Sequence, residues 1–443
     1  MIVMKFGGSS VANAERLRHV GRIVAERAAR RPVVVLSAMG DTTDYLLEAA
    51  ERALSGGGVS IERIEALHLG ALGDLALPEG TAGEVRALLS ELRSLLQGIS
   101  LTGELTARTK DHLVSFGERL SVRIAAAWFR QAGLEAAAYD AWDVGFVSDS
   151  HYGQAELDRE SWDRVRAKLV PLLDAGILPV VTGFIARDGR GSITTLGRGG
   201  SDRSATIIAA ALEAEEAQIW KDVDGILTAD PRLVPEARPV EAVTYEEAQE
   251  LAYFGSQVLH PRAMQPCLKT NTPVVVKNSY NPEAAGTRIV PFLPRPADPV
   301  RALTTRKNVT LIDIVSTRMV GQPGFLERVF AGFARSGISV DMVATSEVSV
   351  SLTLDSLNEI NGVEEELSRF ATVEVKTGKA IVTIIGDVSR SSEILRRAFG
   401  VCMDLGVQVQ MISQGASKVN LSFIVDDTQA DIVVRELHKN YFE

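Results

Sequence analysis

Residues 1–290 alternate short, almost purely apolar runs with stretches whose apolar residues recur at helical spacing, and that alternation leaves few folds open. The runs MIVMKF (1–6), PVVVLSA (32–38), GILPVVTGFIA (176–186), EAQIWKDV (216–223) and TPVVVKN (272–278) mostly stop at Gly, Ser, Thr or Asp. Strands this uniformly apolar are covered on both faces, which predicts an α/β sandwich around a mostly parallel sheet. Ligands of such sheets sit beyond the carboxyl ends of the strands, so the residues after each run are the candidates for chemistry. Residues 41–130 read as mainly helical, with LSGGGVS (54–60) as a connection.

The first run carries an anomaly. Lys5 interrupts an apolar strand and needs a partner for its charge. Gly7 and Gly8 turn the chain, and Ser9, Ser10 and Asn13 are candidate caps for a helix over 14–30, where Leu17, Val20, Ile23, Val24 and Ala28 share a face. A strand, a glycine turn and a helix start aim backbone N–H groups and a helix dipole at one spot, which suits an anion such as a phosphate. The plain alternative is a tight turn after a buried strand.

Past residue 290 the pattern changes. PFLPRPADPV (291–300) has four prolines in ten residues and predicts an interdomain linker, placed at 291–304. A repeat follows: VFAGFARSGISVDMVATSEVSVSLTL (329–354) aligns with AFGVCMDLGVQVQMISQGASKVNLSF (398–423) at an offset of 69, matching Phe330 to Phe399, Met342 to Met411 and Leu352 to Leu421. Two βαββ-type units, each too small for its own core, predict one regulatory or dimerising module over 305–443.

Composition narrows the partners. A net charge of -10 opposes nucleic acid, whose phosphates need a basic surface. Cys267 and Cys402 stand 135 positions apart, the six histidines form no ligand set, and no apolar stretch reaches a membrane-spanning length. These features predict a cytoplasmic protein with no metal site of its own and no membrane partner. No GxxxxGK[ST] loop and no HRD or DFG element of a protein kinase is present.

Several stretches occur together and in order: KFGGSSVAN (5–13), LSAMGDTTD (36–44), SFGERLS (115–121), TLGRGGSD (195–202), DVDG (222–225) with TADPR (228–232), VLHP (258–261) and ISVDMVATSEVSVSLTLD (338–355). On these the chain resembles the aspartate kinases, most nearly the monofunctional, lysine-sensitive class. The resemblance implies an amino-acid-kinase domain over 1–290 and tandem ACT units over 305–443. It also implies ATP-dependent phosphorylation of the side-chain carboxylate of L-aspartate to 4-phospho-L-aspartate, the first step towards lysine, threonine and methionine. Mg²⁺ would be held mainly by the nucleotide phosphates. L-lysine would be the feedback inhibitor, in a homodimer formed through the ACT units, with a tetramer as the alternative.

Residue by residue, the resemblance makes Lys5 the group that bridges phosphate oxygens, aided by the N–H groups of Gly7, Gly8 and Ser9. Asp202 would hold Lys5, or cap a helix over 203–212. Arg198, whose planar fork suits a carboxylate, would grip the α-carboxylate with Gly199, Gly200 and Ser201. Glu118 would face the substrate ammonium, unless it forms a surface salt bridge to Arg119 or Arg123, and Thr43 would offer a hydroxyl. The nucleotide falls to Lys221, Asp222, Leu227, Arg232, Gln257 and Val258. Two of these depart from the family, which commonly has a lysine where Gln257 stands and in many members an aromatic residue at Leu227. The effector set is Met319, Gly324, Phe325, Leu326, Ser339, Val340, Asp341, Ser346 and Glu347, with Asp341 and Glu347 as paired carboxylates that call for a cation. The second repeat has Gln410 and Ala416 in their places. Rival readings are a kinase for glutamate or another carboxylate, and an amino-acid sensor that has lost turnover.

Overall fold

The computed structural model describes residues 1–254, 258–294, 298–316, 319, 323–355, 360–414 and 417–443. The apolar runs become strands and the periodic stretches helices. In chain order the first elements are β1 (Ile2–Phe6), α1 (Ala14–Ala25), β2 (Pro32–Leu36), α2 (Thr42–Leu54), α3 (Glu62–Asp74), α4 (Glu79–Thr102), α5 (Ala107–Gln131), β3 (Ala136–Tyr139) and β4 (Val147–Ser148). There follow α6 (Ser161–Asp174), β5 (Leu178–Thr182), β6 (Ile185–Asp188), β7 (Ile193–Thr195), α7 (Gly200–Ala211), β8 (Ala217–Lys221), β9 (Ala242–Thr244), α8 (Tyr245–Phe254), α9 (Pro261–Thr270), β10 (Val274–Asn278) and β11 (Thr287–Val290). Asn13 caps α1 by accepting from the Arg16 N–H, and the helix ends at Ala25, short of the expected residue 30.

Eight of these strands form one sheet in the order β3-β5-β2-β1-β8-β10-β11-β9, in which every neighbouring pair is parallel except β10 with β11. β1, β2 and β5 are buried at every residue, as a sheet covered on both faces requires. The strand ends are level: Phe6 pairs with Leu36 and Trp220, Leu36 with Thr182, and Lys221 with Asn278. Hydrogen bonds continue just past them, from Ser37 N to Phe6 O (3.1 Å), Gly183 N to Leu36 O (2.9 Å) and Ser279 N to Lys221 O (2.7 Å). The ends of five strands, β1, β2, β5, β8 and β10, are thereby held side by side.

Contacts divide the chain into a unit of 1–226, 241–245 and 258–292 and a second unit of 227–240, 246–257 and 293–443. The second unit contains β12 (Val300–Val315), α10 (Phe325–Arg335), β13 (Val343–Thr345), β14 (Ser349–Leu354), α11 (Asn361–Ser368), β15 (Thr372–Gly386), α12 (Ser391–Asp404), β16 (Met411–Ser413), β17 (Asn420–Asp426) and α13 (Asp427–Phe442). Its sheet runs β13-β14-β12-β15-β17-β16, and the two long strands β12 and β15 pair antiparallel from Val300–Gly386 to Val315–Thr372. The late part of β12 pairs with β14 and the late part of β15 with β17, so each repeat borrows half of the other's long strand. Met342 and Met411, matched in the repeat, meet in one core.

Two expectations change here. The linker placed at 291–304 gives way to β12 from Val300, because Val300 and Leu303 are buried with Ala398, Leu421 and Leu437. Residues 227–240 and 246–257, expected in the catalytic domain, pack with the repeats instead: Ala229 and Val234 join that same core, and Phe254 joins Val309, Met342 and Met411. Among the described residues no helix is long and apolar enough to cross a membrane.

Candidate active site

At the end of β1 the Lys5 ammonium lies 2.6 Å from Asp202 Oδ1, and the Lys221 ammonium, at the end of β8, lies 3.1 Å from Asp202 Oδ2. Asp202 stands in the first turn of α7, where a carboxylate also favours the helix dipole. It does not cap the helix; Gly199 occupies the cap position. Burial opposes charge on both partners of the Lys5–Asp202 pair. It holds the Lys5 ammonium below its ordinary range, while for Asp202 the two ammonium groups outweigh burial and keep the carboxyl below its own. Two cations on one anion leave a surplus positive charge in a dry place.

Glu118 is the opposite case. Gly117 brings α5 against the turn after β2, so closely that a Cβ there would stand 2.6 Å from the Ala38 Cβ. This sets Glu118 Oε1 to accept from the Ala38 N–H at 3.2 Å and leaves Oε2 buried without a hydrogen-bond partner among the described residues. The surface salt bridge is ruled out. Arg119 turns to Glu91 (3.2 Å) and Arg123 to Asp140 (3.0 Å). Burial pushes the Glu118 carboxyl up to about 8, against the pull of the Ala38 N–H and of Lys5.

The remaining expected contacts are unequal. Gly7 donates to Trp220 O at 3.4 Å, so its N–H is spent on the sheet rather than free for a phosphate. Gly8 and Ser9 open a short 3₁₀ turn whose first N–H groups lack partners by construction. The Gly200 N–H is likewise used, by Gly197 O at 2.9 Å. Ser201 lies at the start of α7, Thr43 is half-buried at the start of α2, and Arg198 and Asp222 are exposed. No hydrogen bond or ion pair engages Arg198 among the described residues. Leu227 and Arg232 belong to the second unit, where Arg232 is tied to Asp230 at 2.6 Å. Val258 is half-buried; Gln257 lies outside the described residues.

Sequence reasoning passed over His260 and Ser279. A Cβ on Gly199 would stand 2.8 Å from the His260 Cβ, which puts the imidazole against the Arg198–Gly200 turn. His260 Nδ1 accepts from the Arg262 N–H at 3.2 Å, so in the neutral ring Nε2 carries the proton. Burial first, then the Arg262 and Arg198 charges, hold that ring below its ordinary range. Ser279 Oγ meets Ser10 Oγ at 2.8 Å and Lys221 O at 3.0 Å, stitching the turns after β1, β8 and β10. Their signal was available: VLHP was noted as a motif, and Ser279 directly follows an apolar run.

The sequence profile of the amino acid kinase family matches residues 1–278, and that of the ACT domain matches 312–363 and 382–441. Aspartokinase 1, chloroplastic, of Arabidopsis thaliana is 47% identical over 458 residues, covering 100% of this chain and 80% of the plant protein. The chain belongs to the aspartokinases. Two solved structures of E. coli aspartokinase III cover both chains in full: the complex with aspartate and ADP at 35% identity and a TM-score of 0.81, and the complex with lysine and aspartate at 36% and 0.82.

In this aspartokinase the expected effector residues are spread over the first repeat. Gly324 precedes α10, Phe325 is buried at its start, Leu326 is partly exposed and Met319 is half-buried. Ser339 is exposed and Val340 half-buried before β13, while Ser346 and Glu347 form the exposed turn between β13 and β14. Asp341 lies at the far end of that hairpin, its N–H bonded to Thr353 O at 2.9 Å. Six residues of extended chain span roughly 20 Å, so within one chain Asp341 and Glu347 are not a pair. Asp341 already has partners: the Tyr253 hydroxyl donates to Oδ1 at 2.7 Å, and Arg306 stands 3.5 Å from Oδ2 while also pairing with Asp355. In the second repeat Gln410 donates to Asp426 at 3.0 Å; Ala416 lies outside the described residues.

Proposed function

We propose that the site transfers the γ-phosphoryl group of ATP to the side-chain carboxylate of L-aspartate. The observation that carries this is the juxtaposition of a surplus cation, Lys5 and Lys221 on Asp202, with a buried carboxyl, Glu118, that meets no cation at ion-pair distance among the described residues. Phosphates meet the first and the substrate ammonium meets the second, while Arg198 takes the α-carboxylate in a planar, two-point grip. The amino acid held at both ends directs its side-chain carboxylate at the phosphorus. An oxygen of that carboxylate forms the new bond to phosphorus, the bond to the bridging oxygen of ADP breaks, and ADP leaves with the electron pair. No general base is needed, because the nucleophile is already an anion. The barrier lies in bringing anions together, which Lys5 and Lys221 counter as charge develops.

Mg²⁺ would arrive on the nucleotide phosphates and supply further neutralisation. The exposed oxygen ligand of Asp222 suits such a hard ion. E. coli aspartokinase III, solved with aspartate and ADP and with lysine and aspartate, supports both the reading of the substrates and L-lysine as the effector. A homodimer through the ACT units is supported by the edge strands β13 and β16, where Val343 and its repeat counterpart Ile412 are exposed. The cytoplasm is the proposed compartment, in keeping with two buried, unpaired thiols at Cys267 and Cys402. Purified protein given Mg²⁺, ATP and aspartate should form an acyl phosphate that hydroxylamine traps as the hydroxamate. Hydroxamate at background with aspartate but abundant with glutamate would change the substrate, and none with either would leave an amino-acid sensor.

A further inference from the structure

Seven residues before Glu118, on the same side of α5, a second carboxylate is buried. Asp111 is 3% exposed and meets no cation at ion-pair distance among the described residues. Instead it gathers backbone. Its Oδ2 accepts from the Gly153 N–H at 2.9 Å and the Thr195 N–H at 2.8 Å, and its Oδ1 accepts from the Thr195 hydroxyl at 2.9 Å. Thr195 ends β7, and three residues later the chain reaches Arg198. The same junction is tied again by the Ala155 N–H to Thr195 O at 2.8 Å, and the Gly197 Cα faces Gly153 O so closely that a Cβ would stand 3.0 Å from it.

We infer that Asp111 is a positioning residue that fixes the Arg198 turn relative to Glu118, so that the two grips on the ends of the amino acid substrate are set by one helix. The inference rests on the proposed roles of Arg198 and Glu118. The turn is already anchored on its far side by α7, through the Gly200 N–H to Gly197 O and the packing of His260 against Gly199. Asp111 anchors the near side. A buried carboxylate kept for stability alone would be replaceable at no cost to substrate discrimination. One that spaces two substrate contacts acts on the amino acid and not on the nucleotide, whose expected contacts, after β1 and β8, in 227–232 and at 257–258, are not among the partners of Asp111. Burial raises the Asp111 carboxyl, against its three donors, which leaves the neutral isostere a fair replacement. Asparagine keeps one oxygen for the two N–H groups and turns an NH₂ to the Thr195 hydroxyl, which then accepts.

The test compares Asp111→Ala, Asp111→Asn and Thr195→Val with the wild-type enzyme. Alanine should raise the KM for aspartate about tenfold or more while the KM for ATP stays within about twofold. Asparagine should return the aspartate KM to within about threefold of wild type, and Thr195→Val should lie between. Hydrogen–deuterium exchange over residues 195–200 should speed up in the alanine variant and not in the asparagine one, a readout independent of turnover. Equal shifts in both KM values, or unchanged exchange over 195–200, would overturn the inference. If Asp111→Ala does not fold, Thr195→Val decides alone: an aspartate KM within twofold of wild type sinks the proposal. Wild type inactive on aspartate in the same assay would instead remove the functional reading beneath it.

Discussion

In the catalytic unit Asp202 is shared by two ammonium groups while Glu118 has none at ion-pair distance among the described residues; in the regulatory unit Asp341 has both a phenol and a guanidinium beside it. All three are carboxylates that burial works against, and their surroundings answer that in different ways. The catalytic unit leaves a surplus cation, and a carboxyl that burial keeps largely protonated at neutral pH, where a ligand would bring the opposite charge. Around Asp341, where burial raises the carboxyl against the Tyr253 hydrogen bond and the Arg306 charge, Oδ2 accepts no hydrogen bond among the described residues, but the Arg306 guanidinium already stands 3.5 Å from it. An ammonium that binds there must displace or share Arg306, so an effector's affinity is a difference between two partners and is readily tuned.

The harshest way to break this contrast is to remove the surplus cation. Lys5→Ala leaves Asp202 matched by Lys221 alone, and kcat should fall by about 10³-fold or more with the fold retained. A variant within tenfold of wild type would show that the pair is structural. Next comes the unmatched carboxylate: Glu118→Gln should raise the aspartate KM about 100-fold, the worth of a buried charge-assisted contact of roughly 3 kcal/mol. In wild type the ammonium binds only the ionised form, whose pKa is raised to about 8, so KM should drop about tenfold per unit between pH 6 and 7.5 and level above 8. The variant should lose that slope. The same raised pKa makes Glu118 cost stability as pH climbs from the ordinary carboxylate range to about 8.

Smaller effects are expected in the regulatory unit. Asp341→Ala should weaken lysine inhibition about tenfold, because one partner of the incoming ammonium is gone. Arg306→Gln should sharpen it about threefold, since the competitor for Asp341 is removed. Inhibition curves for the three proteins separate the cases, and Arg306→Gln that weakens inhibition would place Arg306 in the effector site instead.

Much of this was legible in the sequence because apolar runs and strand ends are local signals. Lys5 stood out as a charge inside such a run, and the structure supplies its partner in Asp202. The repeat around Met342 and Met411 was equally plain. What stayed hidden depended on long-range pairing. Nothing local to LTADPRLVPEARPV shows that Ala229 and Val234 pack among α12, α13 and β17, and Asp341 and Glu347 looked paired in sequence although a hairpin sets them at its two ends. Asp111 was missed because its partners, Gly153 and Thr195, are backbone and hydroxyl donors 42 and 84 positions away.

The central claim is that Glu118 waits without a cation and gives up a proton when the substrate ammonium arrives. Calorimetric titration with aspartate at pH 7, with an ATP analogue present and in buffers of different ionisation enthalpy, counts that proton directly. A carboxyl raised to about 8 predicts release of about 0.9 proton per aspartate bound in wild type and close to none in Glu118→Gln. Aspartate bound by wild type with no proton released would mean that Glu118 is already ionised, and the contrast between the two units would fail at its centre.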